Sequence, residues 1–161
     1  MASSTNNSDP PARADVDDAT PLRHFERSLP MALMRARESI MSQFRPVLAE
    51  HDLTEQQWRV LRALSANSGP CSVGRIAEQT FLLGPSLSRM LTSMSERGLV
   101  TRRAHPDDAR RSEIAISTAG RALVDEIAPR SEAVYQRISD ALSGPDLDVL
   151  YELLERTADI E

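Results

Sequence analysis

A group of hydroxyl and guanidinium side chains lies close together in the middle of the chain. Its members are Ser86, Ser88, Arg89, Thr92 and Ser93, with Pro85 directly before them. Serine and threonine hydroxyls donate hydrogen bonds to phosphate oxygens, and an arginine can bind guanine through two parallel hydrogen bonds. These residues therefore have the chemistry to contact a nucleic acid, although an ordinary serine-rich surface helix has the same composition.

Four further arginines follow shortly after this group: Arg102, Arg103, Arg110 and Arg111. The charge of the chain is unevenly distributed around them. From residue 75 to residue 121 eight arginines stand against five acidic residues, a net charge of +3, while the rest of the chain has eleven arginines and nineteen acidic residues, a net charge of −8. A basic centre between acidic flanks is typical of a nucleic-acid-binding surface, which the total charge of −5 conceals.

Two more arginines interrupt the apolar faces of the first two predicted helices. Arg37 shares its helical spacing with Ile40 and Phe44, and Arg62 lies one turn from Trp58. A partly buried guanidinium needs a partner, and it binds a carboxylate through two parallel hydrogen bonds. Trp58 would offer an apolar wall to an aromatic ring. The pattern therefore predicts a site for a small aromatic carboxylate.

The same arginines also allow a purely structural interpretation. They would then pair with acids of the same chain, such as Glu38, Glu55 or Glu126, and the tryptophan would belong to the core. Ion pairs of this structural kind occupy such positions too. The residues alone leave both interpretations open.

Cys71 is the only cysteine, so no internal disulfide can form. An exposed thiol with a lowered pKa would indicate an oxidant sensor, whereas a cysteine in a short apolar strand is an inert part of the core. His24, His51 and His105 stand too far apart for a metal-ligand motif. The chain also has no nucleophile elbow and no glycine-rich phosphate loop. We therefore expect no metal, no cofactor and no enzymatic activity.

Hydrophobic periodicity predicts the elements that position these side chains. The first four predicted helices run from 28 to 50, from the capping box at Thr54 to Asn67, from 73 to 79, and from Gly84 to Gly98. The period then changes from 3.6 to 2, which predicts strands over 99–105 and 112–117 joined by turn residues 106–111. Two helices follow, one starting at Thr118 and one containing Leu147 to Leu154.

This order is that of a winged helix-turn-helix, a mainly α fold with a small β-wing. Its second short helix enters the major groove of DNA, and its wing reaches the adjacent minor groove. Residues 1–24 are polar and acidic and are expected to form a disordered tail, and 25–161 are expected to form a single domain. Without a signal peptide or a membrane-spanning segment, the protein is expected to be cytoplasmic.

Residues 107–111 and the strand and helix start at 114–120 resemble the wing signature of the MarR family of bacterial transcription regulators. The resemblance extends over about residues 28–158. It implies a homodimer in which 25–52 and 118–161 supply flanking dimerisation helices around a winged helix-turn-helix at 53–117. It also implies that Arg110 enters the minor groove and that Asp107 or Asp108 steadies it.

Residues 28–38 and 53–62 are similar to a narrower branch, the repressors of homoprotocatechuate operons, whose members sense small aromatic carboxylic acids. The resemblance implies that the ligand is held by Ser28, Arg37, Trp58 and Arg62, with Tyr135 and Met41 as further candidates. The expected protein is a repressor of an aromatic-acid catabolic operon. It binds a pseudo-palindromic operator and is released by an acid of the hydroxyphenylacetate, hydroxycinnamate or hydroxynicotinate type. The alternatives are a redox sensor that uses Cys71 and a helical interaction module that does not bind DNA.

Overall fold

Six α-helices and three β-strands make up the computed structural model, which describes residues 24–105 and 108–160 and, for 105 and 108–111, the backbone alone. The helices are α1 (Leu29–Ala49), α2 (Glu55–Ala66), α3 (Val73–Thr80), α4 (Gly84–Glu96), α5 (Thr118–Ala141) and α6 (Gly144–Ala158). The strands are β1 (Cys71–Ser72), β2 (Val100–His105) and β3 (Asp108–Ile116). The predicted winged helix-turn-helix order, with helices flanking it, is confirmed. The predicted tail lies outside the described residues, apart from His24.

The chain divides into two units, of which the first ends at Arg35. In this unit a short 3-10 turn, Phe25–Arg27, leads into the start of α1. The Ser28 hydroxyl donates a hydrogen bond to the carbonyl of Phe25 at 2.8 Å, and the Arg35 guanidinium donates one to the carbonyl of Glu26, also at 2.8 Å. These two bonds tie the turn to the beginning of the helix.

In the second unit, which starts at Ala36, local signals set the ends of α2 and α4. The Thr54 hydroxyl accepts a hydrogen bond from the amide of Gln57 at 3.2 Å, and the Gln57 side chain accepts one from the amide of Thr54 at 3.0 Å. This is the predicted capping box. Beyond α4, Gly98 adopts a left-handed φ of 70°, a conformation that glycine takes without steric strain. The predicted end of the helix is therefore confirmed.

The core of this unit forms where the last turns of α1 and the helices α2, α3, α4 and α5 bury their apolar faces against one another and against the sheet. The predicted stripes are confirmed, and their fully buried members include Leu61, Leu64, Ile76, Leu87, Met94, Ile114, Ile127 and Val134. Because a helix stripe recurs every three to four residues, each of these helices turns most of its polar residues outward, with Thr80 and Ser131 as buried exceptions. The outward face of α4 is the one that carries the hydroxyls and Arg89.

The three strands form an antiparallel sheet in the order β1, β3, β2. Strand β3 begins at Asp108, so the prediction of a turn over 106–111 is wrong for 108–111. Ala104 pairs with Ser112, but the next residue of β2, His105, pairs with Asp108. The extra residues of β3 form a bulge within the hairpin. Turn-forming residue types indicate that the chain reverses here, but pairing with β2 decides how far the strand continues.

Helix α6 leaves several large apolar side chains exposed: Val149, Leu150, Tyr151, Leu153 and Leu154. None of the described helices combines the length and the apolar composition that a membrane span requires. Among the described residues, no three or more histidine, cysteine or acidic side chains converge on a possible metal position.

Candidate functional site

The outer face of α4 presents the predicted polar group to solvent. Pro85 lies in the first turn of the helix, and all of the predicted contact residues of α4 are exposed: Pro85, Ser86, Ser88, Arg89, Thr92 and Ser93. The Thr92 hydroxyl donates a hydrogen bond to the backbone carbonyl of Ser88 at 3.1 Å. Its oxygen can still accept a hydrogen bond from outside the chain. The arrangement is a convex, hydroxyl-rich surface with one guanidinium near its middle.

The wing adds further guanidinium groups beside this helix. Arg102 is exposed, and its Nε atom donates a hydrogen bond to the hydroxyl of Ser112 across the hairpin at 3.0 Å. Arg103 is also exposed and lies opposite Glu113 in the strand register. The backbones of Asp108, Arg110 and Arg111 belong to β3, but their side chains lie outside the described residues. Their predicted DNA contacts therefore stay predictions, as does the steadying role of Asp107.

A cavity of about 210 Å³ opens between α1, α2 and α5. It is lined by Met41, Phe44, Glu55, Trp58, Arg59, Arg62 and Tyr135. The predicted ligand residues Trp58 and Arg62 and the further candidates Met41 and Tyr135 thus meet at one place. Phe44 and Tyr135 form an edge-to-face aromatic pair with ring centroids 5.2 Å apart. Three aromatic side chains, those of Phe44, Trp58 and Tyr135, therefore stand in the wall of the cavity.

Arg62 lies at this cavity with its guanidinium over the indole of Trp58, 5.9 Å from the ring centroid. The indole is buried, whereas the guanidinium is exposed. Among the described residues no hydrogen bond or ion pair engages Arg62, so its donors are available to a ligand. At this distance the guanidinium makes a cation–π interaction with the ring, which favours this position of the side chain.

A cluster of charges borders the cavity on the other side, around Glu55. This carboxylate accepts a hydrogen bond from Arg37 at 2.8 Å and one from Arg45 at 2.6 Å, and Arg45 also binds Glu38 through two hydrogen bonds of 2.6 Å. Partial burial by itself would raise the pKa of Glu55, but the hydrogen bonds from Arg45 and then Arg37 lower it below its ordinary value. Glu55 is therefore an ionised acceptor at neutral pH.

Half of the Arg37 side chain is exposed, so it is partly buried, as expected, at the edge of the apolar stripe and not inside the core. It reaches the cavity through Glu55, the partner that the structural interpretation named. The other two acids named there have different partners, because Glu38 binds Arg45 and Glu126 lies 4.0 Å from His51. Helical spacing alone could not show which acid binds Arg37, since it defines a face of α1 but not the residues that cover that face.

The predicted ligand residues and the observed lining of the cavity differ in part. Ser28 belongs to the first unit, where its hydroxyl binds the carbonyl of Phe25, and its ligand role stays a prediction. Phe44, Glu55 and Arg59 line the cavity but were not predicted as ligand residues. The signal for Glu55 was present in the sequence, because it lies one turn before Trp58 and two turns before Arg62 on the same helical face.

Cys71 is buried, with 3% of its surface exposed, and its thiol lies 3.8 Å from the carbonyl of Gly69. An oxidant sensor needs an accessible thiolate. The environment of Cys71 is that of a core residue of β1, opposite Ile114 of β3. The redox alternative has no structural support.

Comparisons with known proteins agree with this geometry. The model of the MarR family matches residues 51–111, which contain the helix-turn-helix and part of the wing. The homoprotocatechuate degradative operon repressor of Escherichia coli is 38% identical over 128 residues, which cover 80% of this chain and 86% of that protein.

Two solved structures are also similar. One is NadR in complex with 4-hydroxyphenylacetate, which is 35% identical with a TM-score of 0.75 and covers 88% of this chain and 99% of its own. The other is the transcriptional repressor CouR bound to a 23-mer DNA duplex, which is 27% identical with a TM-score of 0.75 and covers 86% of this chain and 99% of its own. These relatives are transcription regulators and not enzymes. The fold, the arginine-bearing wing and these relatives together show that the chain belongs to the MarR family of DNA-binding transcription regulators.

Proposed function

We propose that this protein is a homodimeric repressor of an aromatic-acid catabolic operon in the cytoplasm, released from its operator by a hydroxylated aromatic carboxylic acid. The observation that carries the proposal is the aromatic cavity with Arg62 stacked on Trp58 and the ionised Glu55 on the same helix. The similarity to a homoprotocatechuate operon repressor and to a complex with 4-hydroxyphenylacetate supports the same ligand class.

The chemistry of the cavity defines the ligand. The backbone positions of Glu55 and Arg62 are two helical turns apart, about 10 Å along the axis of α2. A carboxylate at one end of the ligand would bind the free donors of Arg62. An ionised Glu55 accepts hydrogen bonds but donates none, so the other end should carry a hydroxyl donor. An aromatic ring between them would pack against Trp58, Phe44 and Tyr135. The proposed ligand is therefore an aromatic acid with a hydroxyl group on the far side of the ring.

The proposed DNA surface consists of the exposed face of α4 and the arginines of the wing. A dimer would place two copies of α4 into successive major grooves, which is the reason to expect a pseudo-palindromic operator. Arg89 would contact a guanine or a phosphate, and the hydroxyls of Ser86, Ser88 and Ser93 would contact phosphates. Arg110 is added because the family resemblance implies its place in the minor groove.

A contact between the two sites runs through Arg97, just beyond the end of α4. Its guanidinium donates hydrogen bonds to the carbonyls of Asp52 at 2.8 Å and His51 at 3.3 Å, in the turn that joins α1 to α2. A ligand that shifts α2 relative to α1 would move this turn and, through Arg97, the end of α4. Ligand and operator would then oppose each other's binding by the same factor, as linkage requires.

The ligand assignment is tested with Arg62→Ala and, as a matched control, Arg62→Lys. We expect 4-hydroxyphenylacetate to release the wild type from its operator. A concentration about tenfold higher should still fail to release the Arg62→Ala variant. Lysine keeps the charge but not the planar fork, so it should restore the response only in part. The measurement is fluorescence anisotropy of a labelled duplex, obtained by selection from random DNA. Normal release of the alanine variant would exclude the assignment.

The role of the hydroxyl group is tested on the same duplex with phenylacetate, which lacks it. We expect phenylacetate to be the weaker effector of the wild type, because Glu55 would lose its donor. The amide of Gln can both donate and accept a hydrogen bond. The two acids should therefore release the Glu55→Gln variant at more nearly equal concentrations. An unchanged preference in this variant would show that Glu55 does not read the hydroxyl.

The DNA surface is tested with Arg89→Ala and Arg110→Ala, with Arg156→Ala on α6 as the control. We expect each of the first two to weaken operator binding by about tenfold at fixed salt. A residue that contacts phosphate should also lower the slope of log affinity against log salt by about one. The control should match the wild type. Wild-type affinity of the Arg89→Ala variant would exclude α4 as the recognition helix.

A further inference from the structure

Phe81 and Leu83 are two large apolar residues left exposed in the turn between α3 and α4. Phe81 has 91% of its surface exposed and Leu83 has 78%, whereas Leu82 between them packs against the core. Leucine and phenylalanine are usually among the most buried residue types. One such residue on a surface needs no explanation, but two beside the proposed recognition helix form a local apolar patch.

The backbone of Phe81 supplies a second, independent observation. It adopts the left-handed conformation, with φ 53° and ψ 36°, at the end of α3. The turn requires this conformation, since the amide of Leu82 donates a hydrogen bond to the carbonyl of Ala77 as the chain leaves the helix. Glycine or asparagine is the relaxed choice at this position, and a bulky aromatic residue is strained there. Phe81 therefore has a strained backbone conformation, although its side chain contributes almost no buried surface to the fold.

The position of the patch indicates what it contacts. Leu83 is the N-cap of α4, and the exposed Pro85 and Ser86 follow in the first turn. In helix-turn-helix proteins it is the N-terminal residues of the recognition helix that approach the base edges. The patch is thus continuous with the proposed DNA surface. Two side chains are far too few for a stable protein interface, which needs roughly 800 Å² from each partner.

The apolar group that the major groove offers to such a patch is the C5-methyl of thymine, a known partner of phenylalanine. We propose that Phe81, with Leu83 beside it, packs against thymine methyl groups of each operator half-site and so adds a preference for A·T pairs that the serines and arginines of α4 do not supply. This inference rests on the proposed role of α4 as the recognition helix.

A comparison of Phe81→Gly with Phe81→Ala separates the effect of losing the aromatic ring from the effect of relieving the backbone strain. Both remove the ring, so both should weaken binding to the selected duplex by about fivefold or more at fixed salt. Only glycine relieves the left-handed strain, so only Phe81→Gly should melt at a higher temperature than the wild type, by about 2–4 °C. A loss of affinity in a more stable protein cannot be attributed to unfolding.

The methyl contact itself is tested by replacing thymine with deoxyuridine in the half-sites, which removes only the methyl groups. The wild type should lose about as much affinity for this duplex as Phe81→Gly loses for the normal one, and Phe81→Gly should lose nothing further. Two losses that multiply would overturn the inference, because the ring and the methyl would then act independently. Arg89→Ala separates a failure of the thymine contact from a failure of α4 as the recognition helix. If it weakens binding while Phe81→Gly does not, the thymine contact alone is wrong, and if neither weakens binding, α4 is not the recognition helix.

Discussion

Among the glycines, Gly120, in the first turn of α5, has the least room for an added side chain. A Cβ atom at this position would lie 2.1 Å from the backbone carbonyl oxygen of Leu99 and 3.0 Å from the side chain of Ile116. The close approach is held by Ser117, whose hydroxyl accepts a hydrogen bond from the Gly120 amide at 2.9 Å and donates one to the carbonyl of Gly98 at 2.5 Å. These two hydrogen bonds fix the start of α5 against the turn that follows α4. A glycine is required at position 120 because a side chain has no space there, and not because the backbone has an unusual φ.

We therefore expect Gly120→Ala to lower the free energy of unfolding by about 3 kcal/mol, because the obstructing atom is backbone and cannot rotate away. Urea denaturation at fixed protein concentration measures the change. Gly144→Ala is the matched control, since a Cβ there meets nothing within 4 Å. A variant at position 120 that unfolds at the same urea concentration as the control would contradict the packing described here.

At the scale of elements, carboxylate–arginine contacts join α1 to its neighbours. Glu55 of α2 binds Arg37 and Arg45 of α1, and Glu50 of α1 forms a bidentate pair with Arg130 of α5. The hydrogen bond from Arg130 is the main reason that the pKa of Glu50 lies below its usual range. The pKa of Glu55 is also lowered, by its two arginines. A carboxyl with a lowered pKa binds fewer protons in the folded state than in the unfolded state.

The contribution of these carboxylates to stability is therefore complete above their ordinary pKa of 4.5 and is lost as the pH falls through the lower folded value. We expect the melting temperature to fall steeply below about pH 4.5. Glu55→Gln should melt lower than the wild type at pH 7 and show a shallower fall in acid. Glu152→Gln on α6 serves as the control and should follow the wild type. Parallel pH profiles for all three proteins would show that the cluster does not stabilise the packing of α1 on α2.

At the scale of the whole molecule, the exposed apolar side chains of α6 are the feature that a single chain does not explain. Leu147, Leu150 and Leu154 share one helical face, and the last two are exposed, as are Val149 and Leu153. Contiguous apolar surface of this kind marks an interaction site. A second copy of the chain, as the MarR family resemblance implies, would cover it.

We expect sedimentation equilibrium to give the mass of two 17.8 kDa chains. Leu150→Arg would place a charge in the interface and should shift the protein toward the monomer. Operator affinity should fall with it by more than tenfold, because one chain supplies only one recognition helix. Glu152→Ala, on the same helix, controls for changes in α6 itself. A Leu150→Arg variant that remains a dimer with full affinity would place the interface elsewhere.

Features that depend on neighbouring residues could be predicted from the amino-acid sequence alone. The capping box at Thr54, the apolar stripe of α4, the end of that helix at Gly98 and the placement of Arg62 one turn from Trp58 all involve residues within a few positions of one another. Local hydrogen bonding and helical spacing are sufficient to predict such features. The MarR family followed from the same kind of short segment, because the wing signature is also local.

Which residues each helix face contacts depended on long-range packing. Phe44 of α1 and Tyr135 of α5 are far apart in the sequence, and only packing brings their rings to the cavity beside Trp58. Arg37 has the spacing of a core residue but is half exposed and bound to Glu55, because the described residues bury only the later part of that face of α1, at Phe44. The length of β3 depended on pairing with β2. Periodicity identifies a face, whereas long-range packing determines whether that face becomes core, cavity or solvent-exposed surface.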